Sequence, residues 1–411
     1  MAEPGRDERG SAHTGGLSRR SLIAFLVVGG VAARRGWWRS AMAATAPVGS
    51  PPVTVARPGR LSAGPSFVDP TVTRYGHDHI HLGPGVYVAP FARLLAAGPG
   101  RDIHVGSHSD VQDNVDVDAL RGAVWIGDRV ALAHGCTVKN GAVIGGTGPT
   151  HEPAFVGFNA EVDGATVEPD AMVLHLARVG PGVRVPAGRK VMPGRNVVSQ
   201  SQVMDKSAAV TEADRLFMEG VIEVNVALAH GYAALAAESP SNVRGVNYDP
   251  GDNPFNPGRD LPTVSGQPVR DPNARGRVIG DVRLADGLSL RRVVLSSLRA
   301  DEGEPFVVGT ISSLGTHSTF HSLEHAGLDL GDRGTYGPRS LVHGGPAFDG
   351  VTRTGPGLRL GAGSVLFQSH TGTGVTIGAR SLVQATTLAD GAAVPARTVM
   401  IGGHVVGAVE W

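Results

Sequence analysis

The sequence has little of what several common protein classes require. It contains a single cysteine, Cys136, among 411 residues, which excludes an internal disulfide framework and a cysteine-rich zinc site. Aromatic residues make up only 5% of the chain, so a core must be built mainly from small aliphatic side chains. Lys and Arg number 37, as do Asp and Glu, and this balance provides no overall field that favours nucleic acid or an anionic membrane.

The N-terminal region also lacks an apolar run long enough to span a membrane. The run from Leu22 to Ala33 has twelve residues, whereas a membrane-spanning helix needs about 20. Arg19 and Arg20 precede this run, and the arrangement resembles a twin-arginine export signal. We therefore expect residues 1–46 to direct export to the secreted, periplasmic or cell-wall side. Arg34, Arg35 and Arg39 follow the run, which makes an uncleaved membrane anchor the alternative.

Glycine and aliphatic residues are abundant and recur with a period of six. The chain has 59 Gly and 28 Pro, which supply corners between short segments. The aliphatic or aromatic positions that repeat at this spacing are Val105, Val111, Val117; Ile126, Leu132, Val138, Ile144; Val308, Leu314, Phe320; and Leu330, Tyr336, Val342. Neither a helix nor a simple alternating strand has this period. It is typical of hexapeptide β-helices, in which each short strand points one side chain inward.

The repeats fall into two blocks, and the predicted fold class is mainly β, with two tandem left-handed parallel β-helices. The first block, within residues 47–238, repeats from about Ser66 to Ser199 and ends in an Ala-rich segment without Pro, Thr211 to Glu238, which predicts a long helix. Residues 239–275 are rich in Pro, Asn, Asp and Gly and read as a linker. Residues 276–411 form the second block, which has no matching helix.

Three histidines stand at defined distances from inward positions. His321 and His343 each follow an inward residue by one position, so we expect both at the same corner, on neighbouring turns. The equivalent positions of the first block hold Asp118 and Lys139. Each block therefore differs from the other at this corner.

His134 follows Leu132 by two positions, and its equivalent in the second block is Pro338. The first block thus carries only this histidine, and the second carries only the pair. The two sets are complementary, which favours one site assembled from both blocks over random loss.

Both blocks resemble the γ-class carbonic anhydrases. In the first block the resemblance lies in "VQDN", "IGDRVALAHG", "VMPGRNVVSQSQ" and "VNVALAHGY"; in the second it lies in "SLRADEGEPFVVG", "FHSLE" and "LVHGGPA". Together these segments cover most of the chain after residue 65. The resemblance implies hydration of carbon dioxide to bicarbonate at a zinc ion, with iron(II) or cobalt(II) as other metals, bound between neighbouring β-helices of a trimer.

The resemblance also implies roles for individual residues. His321 and His343 match the two metal ligands given by one β-helix, and His134 matches the ligand given by its neighbour. Catalytic roles fall to four polar residues: Gln112 and Asn225 in the active site, and Glu302 and Glu324 in proton transfer. An interface salt bridge falls to Arg299, Asp301 and Asp113. Self-association through β-helix faces is a further expectation.

Three alternatives remain open. The segment "HDHIH" places His77, His79 and His81 at alternating positions, so that one face of a strand could display all three to a metal; we expect them instead to be exposed polar side chains. A hexapeptide-repeat acyltransferase would use a histidine as a general base and needs no zinc. A catalytically inactive assembly or scaffold protein is favoured by the replacements at Asp118, Lys139 and Pro338.

Overall fold

Inward-facing aliphatic residues arrange the chain as two stacks of short parallel strands. The computed structural model describes residues 64–251, 258–302 and 305–411. Val111, Leu132 and Val156 lie in register on three successive turns of the first stack, and Phe320 pairs with Val342 in the second. The predicted fold class, mainly β with two tandem parallel β-helices, is confirmed. The predicted export signal, residues 1–46, lies outside the described residues.

The first β-helix has three sheets, one for each side of the coil. One sheet, which we call contact sheet 1, consists of Phe67–Val68, Tyr87–Val88, Asp110–Val111, Val130–Leu132, Ala154–Val156, Met172–Val173, Arg189–Val191 and, antiparallel, Ser207–Ala209. The second sheet consists of Thr73–Tyr75, Arg93–Leu95, Asp116–Asp118, Thr137–Lys139, Glu161–Asp163, Arg178–Val179 and Asn196–Val197. The third sheet consists of Ile80–Leu82, Ile103–Val105, Val124–Ile126, Val143–Ile144, Thr166–Val167 and Arg184–Val185.

The second β-helix repeats this plan. Its first sheet, which we call contact sheet 2, consists of Val246–Asn247, Arg277–Gly280, Ser297–Ala300, Thr319–Ser322, Leu341–Gly344, Val365–Phe367, Leu382–Gln384, Thr398–Ile401 and, antiparallel, His404–Ala408. The next sheet consists of Thr263–Val264, Gln267–Pro268, Val282–Leu284, Phe306–Val308, Gly327–Leu330, Val351–Thr354, His370–Thr371 and Thr387–Leu388. The last sheet consists of Ile311–Leu314, Gly334–Tyr336, Arg359–Leu360, Thr376–Ile377 and Ala393–Val394.

Helices are few in the described ranges, and one of them is long. The α-helices are Val203–Lys206, Glu212–Glu238 and Gly287–Arg292, and the 3-10 turns are His77–His79, Gln200–Gln202 and Pro240–Val243. Thr211 caps the long helix, Glu212–Glu238, through a reciprocal pair of hydrogen bonds with Asp214. By length and composition this helix is apolar enough to cross a membrane, but half of its most apolar stretch is buried in the protein, and Met218 and Leu228 are among the buried side chains.

The segment read as a linker, residues 239–275, is in part a turn of the second β-helix. Val246 and Asn247 pair in parallel with Val278 and Ile279, and Thr263–Val264 pairs with the strand Val282–Leu284. The second β-helix therefore begins at Val246 rather than near residue 276. These strands have two residues each, and the composition around them predicts loops, because a pair of residues is too short to show any period.

The two β-helices pack side by side through contact sheets 1 and 2. Ala131, Phe155 and Met172 of the first belong to the same apolar cluster as Leu341 and Leu382 of the second. Polar contacts accompany this cluster, since Asn114 Nδ2 donates to Thr319 Oγ1 at 2.7 Å. Further along both coils, Asn159 Nδ2 donates to the carbonyl oxygen of residue 363, so the contacts advance together and the coils run in the same direction.

Ion pairs join the two β-helices near both ends. At the beginning, the buried Arg277 donates from Nε to Asp69 Oδ2 at 3.0 Å. At the other end, Glu410 accepts from Arg195 at 2.7 Å and from Lys206 at 2.8 Å. Burial raises the pKa of Glu410, but the hydrogen bonds from Lys206, the Asn196 backbone and Arg195 outweigh it and lower that pKa to about 2. These contacts fix the alignment of the coils.

Candidate metal centre

Three histidines that are far apart in the sequence meet where contact sheets 1 and 2 face each other. His134 follows the strand Val130–Leu132, while His321 and His343 are paired in register on neighbouring strands of contact sheet 2. All three are at most 3% exposed. One ring nitrogen from each lies within 4.8 Å of the others, and His134 Nε2 is 3.2 Å from His321 Nδ1. Within the described ranges, this is the one cluster of at least three His, Cys, Asp or Glu side chains so arranged.

The other ring nitrogen of each histidine lies beside a hydrogen-bond acceptor. His134 Nδ1 is 3.2 Å from Asp113 Oδ2, and His321 Nε2 is 3.3 Å from both Asp301 Oδ1 and Glu302 Oε1. His343 Nδ1 is 2.7 Å from its neighbour's carbonyl oxygen, that of residue 344. Imidazoles that bind a metal are held in this way, with one nitrogen on an acceptor and the other directed at the ion. The donor set therefore fits a metal with three imidazole ligands.

A buried guanidinium connects the acceptors of the two β-helices. Arg299 donates from Nη2 to Asp113 at 2.9 Å and from Nη1 to Asp301 at 2.6 Å. The same Nη1 donates to the Tyr87 hydroxyl at 3.1 Å, and the Tyr232 hydroxyl donates to Asp301. All five side chains are at most 1% exposed. Arg299, of the second β-helix, thus holds a carboxylate from each side of the interface.

This network keeps the two carboxylates charged. Burial raises the pKa of Asp113 and of Asp301, but the Arg299 guanidinium outweighs it, with further help from the neighbouring histidines. The pKa of each carboxyl group therefore lies well below its usual range. Both groups remain acceptors for the histidine N–H groups at neutral pH.

The histidines themselves are held neutral. Burial lowers the pKa of His134 and His343, and it lowers that of His321 to about 4, with the Arg299 charge as the next cause. Neutral imidazole is the form that binds a metal. Without an ion, the three rings would still be uncharged at neutral pH.

Glu302 lies beside His321, with Oε1 3.3 Å from Nε2, and does not belong to the salt bridge. It is 5% exposed, and burial raises its pKa well above the usual range, as does the negative charge of Asp301. This carboxyl group can therefore hold a proton at a pH where an exposed glutamate cannot.

Of the remaining predicted site residues, one contacts one of the three histidines directly and the other two contact different partners. Gln112 accepts the backbone N–H of His134 at 3.3 Å. Asn225 is buried within the long helix and donates to the carbonyl oxygen of residue 221 at 2.9 Å. Glu324 lies in a turn at the edge of the site and contacts His325 at 2.8 Å. No direct contact between Glu324 or Asn225 and the three histidines is among the described interactions.

Several residues around the site were not predicted from the sequence. Phe158 and Phe367 pack against His343, with ring centroids 4.9 and 5.3 Å away. Asp110 is fully buried with both oxygens unpaired, and burial raises its pKa well above the usual range. Tyr232 lies seven residues after Asn225, which places both on one face of the helix. That spacing was the available signal for Tyr232; the six-residue pattern gives none for the others.

His77, His79 and His81 do not lie on one strand face, so the alternative metal site on a single strand is not formed; His77 and His81 are exposed, as expected. His77 and His79 belong to a 3-10 turn that follows Gly76, whose φ of 71° ends the preceding strand, and only His81 lies on the next strand. His79 contacts Asp102 at 2.8 Å, while His81 stacks on His104 with centroids 4.7 Å apart.

Lys139, at the vacant ligand position of the first β-helix, faces away from the histidines. Its Nζ is 3.0 Å from Glu161 Oε2 on the next turn. The residue therefore belongs to a surface ion pair.

Comparison with known proteins finds two relatives of this chain. The chain is 32% identical over 189 residues to the carbonic anhydrase of Methanosarcina thermophila, a match that covers 41% of this chain and 72% of that enzyme. It is 29% identical over 182 residues to the carboxysome assembly protein CcmM of a Nostoc species, covering 42% of this chain. The chain spans 31% of the length of that assembly protein. It matches no protein-family model.

Two solved structures with similarity to the chain have low TM-scores. A hexapeptide transferase family protein from Anaplasma phagocytophilum has 24% identity and a TM-score of 0.21, covering 41% of this chain and 92% of that one. An Arabidopsis UDP-N-acetylglucosamine acyltransferase has 11% identity and a TM-score of 0.17, covering 82% and 71%. Given the match to the Methanosarcina enzyme, this chain belongs to the γ-class carbonic anhydrase family.

Proposed function

We propose that the chain catalyses the metal-dependent, reversible hydration of carbon dioxide to bicarbonate at a site shared by its two β-helices, with zinc as the metal and iron(II) or cobalt(II) as alternatives. The observation that carries this proposal is the meeting of His134 with His321 and His343, all buried and neutral. Neither β-helix supplies this set alone. Membership of the carbonic anhydrase family supports the choice of reaction.

The protein would hold the metal through three imidazole nitrogens and leave a position open, as catalytic zinc sites do. Such an ion supplies Lewis-acid chemistry, because it lowers the pKa of water toward neutrality and so provides the nucleophile for carbon dioxide. Asp113 and Asp301 support two of the imidazoles from behind, since a carboxylate oxygen of each lies 3.2 Å from His134 Nδ1 and 3.3 Å from His321 Nε2, respectively. The Arg299 guanidinium holds both carboxylates in place.

Glu302 is suited to receive the proton that hydration releases. Its Oε1 lies 3.3 Å from His321 Nε2, at the edge of the histidine cluster. Because burial raises the pKa of this carboxyl group, it takes up and returns a proton at a higher pH than an exposed glutamate does. Glu324 has a side chain that is 16% exposed, and it provides the next acceptor toward solvent.

The apolar wall of the site suits an uncharged substrate. Phe158 and Phe367 line the side of His343. Carbon dioxide carries no charge and loses little hydration beside such rings, whereas bicarbonate is an anion and is better solvated by water. This difference favours release of the product.

Four variants test the shared site. His134→Ala, His321→Ala and His343→Ala should each lose most of the bound metal, because two imidazoles hold zinc far less well than three. Lys139→Ala is the matched control, since it occupies the equivalent corner of the first β-helix but contacts Glu161. Metal stoichiometry and carbon dioxide hydration should be measured for all four, with about one metal per chain in the wild type and the control.

Two outcomes would overturn the proposal. Full activity in His134→Ala beside an inactive His321→Ala would mean that the second β-helix builds its site alone. A wild-type protein that stays free of metal after dialysis against zinc would exclude the reaction.

The second candidate function is assembly without catalysis. It is supported by the similarity to a carboxysome assembly protein and by Asp118 and Lys139 at positions that hold histidines in the second β-helix. Stoichiometric metal without measurable hydration would favour this candidate. Acyl transfer is the third candidate. Acyltransferase activity that survives removal of the metal by a chelator would favour it.

A further inference from the structure

A tyrosine of the long helix reaches a carboxylate of the second β-helix. The Tyr232 hydroxyl donates to Asp301 Oδ2, and Oδ1 of the same carboxylate lies 3.3 Å from His321 Nε2. Tyr232 is 1% exposed and Asp301 is fully buried. Three elements are therefore joined in series: the helix Glu212–Glu238, the end of the strand Ser297–Ala300 and a histidine of the candidate metal centre.

The position of this hydroxyl is fixed by ring packing. The Tyr232 ring stacks on Tyr87, with centroids 5.8 Å apart and planes 5° from parallel, and on Phe67 with centroids 5.3 Å apart. Burial raises the pKa of Tyr232, as does the Asp301 charge, so the hydroxyl keeps its proton and remains a donor. The donor therefore arrives at Asp301 in one orientation, set by how the helix packs.

The two oxygens of the Asp301 carboxylate contact different groups. Oδ2 accepts from Tyr232 and from Arg299, at 2.6 Å for the latter, which leaves Oδ1 for His321. Without the hydroxyl, one donor on Oδ2 disappears and the carboxylate is free to turn about its Cβ–Cγ bond. Turning would change the acceptor that the imidazole meets.

We propose that Tyr232 is a positioning residue whose hydroxyl fixes the Asp301 carboxylate and, through it, the orientation of the His321 ring toward His134 and His343. Docking of the long helix of the first β-helix then sets the metal affinity of a histidine in the second. This inference rests on the metal site of the proposed function but does not depend on the reaction. Loss of an outer partner of a metal-binding histidine typically costs a factor of about 10 to 100 in metal affinity.

The test uses the full chain with Tyr232→Phe, and Tyr336→Phe as its control. Tyr336 is also a buried tyrosine, 2% exposed, but it lies in the core of the second β-helix. Zinc affinity, measured by competition with a chromogenic chelator, should fall about tenfold or more in Tyr232→Phe. The control should stay within about threefold of the wild type, while urea denaturation of the metal-free proteins reports the stability lost by each.

Equal zinc affinity in Tyr232→Phe and Tyr336→Phe would overturn the inference, because the hydroxyl would then matter only for folding. A second measurement serves if the wild type binds no zinc: side-chain ¹⁵N NMR of the histidines should show the proton of His321 on Nε2 in the wild type and a tautomer mixture in Tyr232→Phe. An unchanged tautomer would also overturn the inference. If zinc binding depends on Tyr232 but the protein does not hydrate carbon dioxide, only the proposed function is contradicted and the inference about Tyr232 stands.

Discussion

Asp214 attaches the long helix to the first β-helix through one carboxylate oxygen. Its Oδ2 accepts from Lys190 Nζ at 2.5 Å, from the Thr211 backbone N–H at 2.7 Å and from the Thr211 hydroxyl at 2.6 Å. Lys190 and Asp214 are each 1% exposed. Because the helix carries Asn225 and Tyr232, we expect this attachment to govern both stability and the candidate site.

The change Asp214→Asn removes the charge but keeps the size of the side chain. It leaves the Lys190 ammonium buried without its counter-charge, which costs about 3–5 kcal/mol, and it weakens a helix cap worth about 1 kcal/mol. The two terms share one oxygen and overlap, so we expect the free energy of unfolding to fall by about 4 kcal/mol. Lys190→Met should cost less, because the carboxylate keeps its two hydrogen bonds from Thr211.

Urea denaturation followed by circular dichroism measures these differences, provided the dependence on urea is the same for each variant. The double variant Lys190→Met/Asp214→Asn removes both charges and should recover most of the loss, leaving about 1 kcal/mol for the cap. A smaller loss of stability in Asp214→Asn than in Lys190→Met would contradict this prediction. A double variant no more stable than Asp214→Asn would contradict it as well.

Three further variants should change stability in distinct ways, all measured by urea denaturation. Glu410→Gln should cost about 1 kcal/mol at pH 7. This cost should shrink as pH falls below about 4.3 and disappear only below pH 2, because the wild type loses the contribution as pH falls through its folded pKa of about 2; a cost that does not change with pH would contradict this prediction. The free energy of unfolding of Asp110→Asn should rise relative to that of the wild type as pH rises above about 4, since burial raises the pKa of Asp110. Stabilities that depend on pH in the same way in both proteins would contradict this. Arg277→Met leaves Asp69 buried without its cation and should cost about 3–5 kcal/mol; a loss below about 1 kcal/mol would contradict it.

The periodic parts of the fold were predictable because each turn repeats the same physical requirement. One small aliphatic residue must face inward on every strand, so the six-residue spacing appears directly in the sequence. The long helix was predicted as Thr211 to Glu238 and is observed as Glu212–Glu238 with Thr211 as its cap. The offsets of His321 and His343 from inward residues likewise predicted their pairing in register.

Features without a period were not predictable. The strand Val246–Asn247 has two residues within a stretch rich in turn-forming residues, and its evidence is the backbone pairing with Val278. Asp69 and Arg277 are separated by 208 residues, and no local pattern relates them. The contact between Tyr232 and Asp301 depends on how the helix docks, which sequence offsets within a coil do not describe.

The ion pairs near the two ends of the coils determine how the two β-helices are aligned along their axes. Neighbouring turns of a β-helix are separated by the spacing of hydrogen-bonded strands, about 4.8 Å, so two such coils lying side by side can be shifted only in steps of that size without mismatching their ridges. A single step would carry His134 past the level of His321 and His343 and place it beside Phe367 or beyond the pair. Ion pairs near the two ends oppose such a shift: Arg277 with Asp69 at one end, and Glu410 with Arg195 and Lys206 at the other. These ion pairs thereby select one register between the two β-helices, and the three imidazoles meet only in that register.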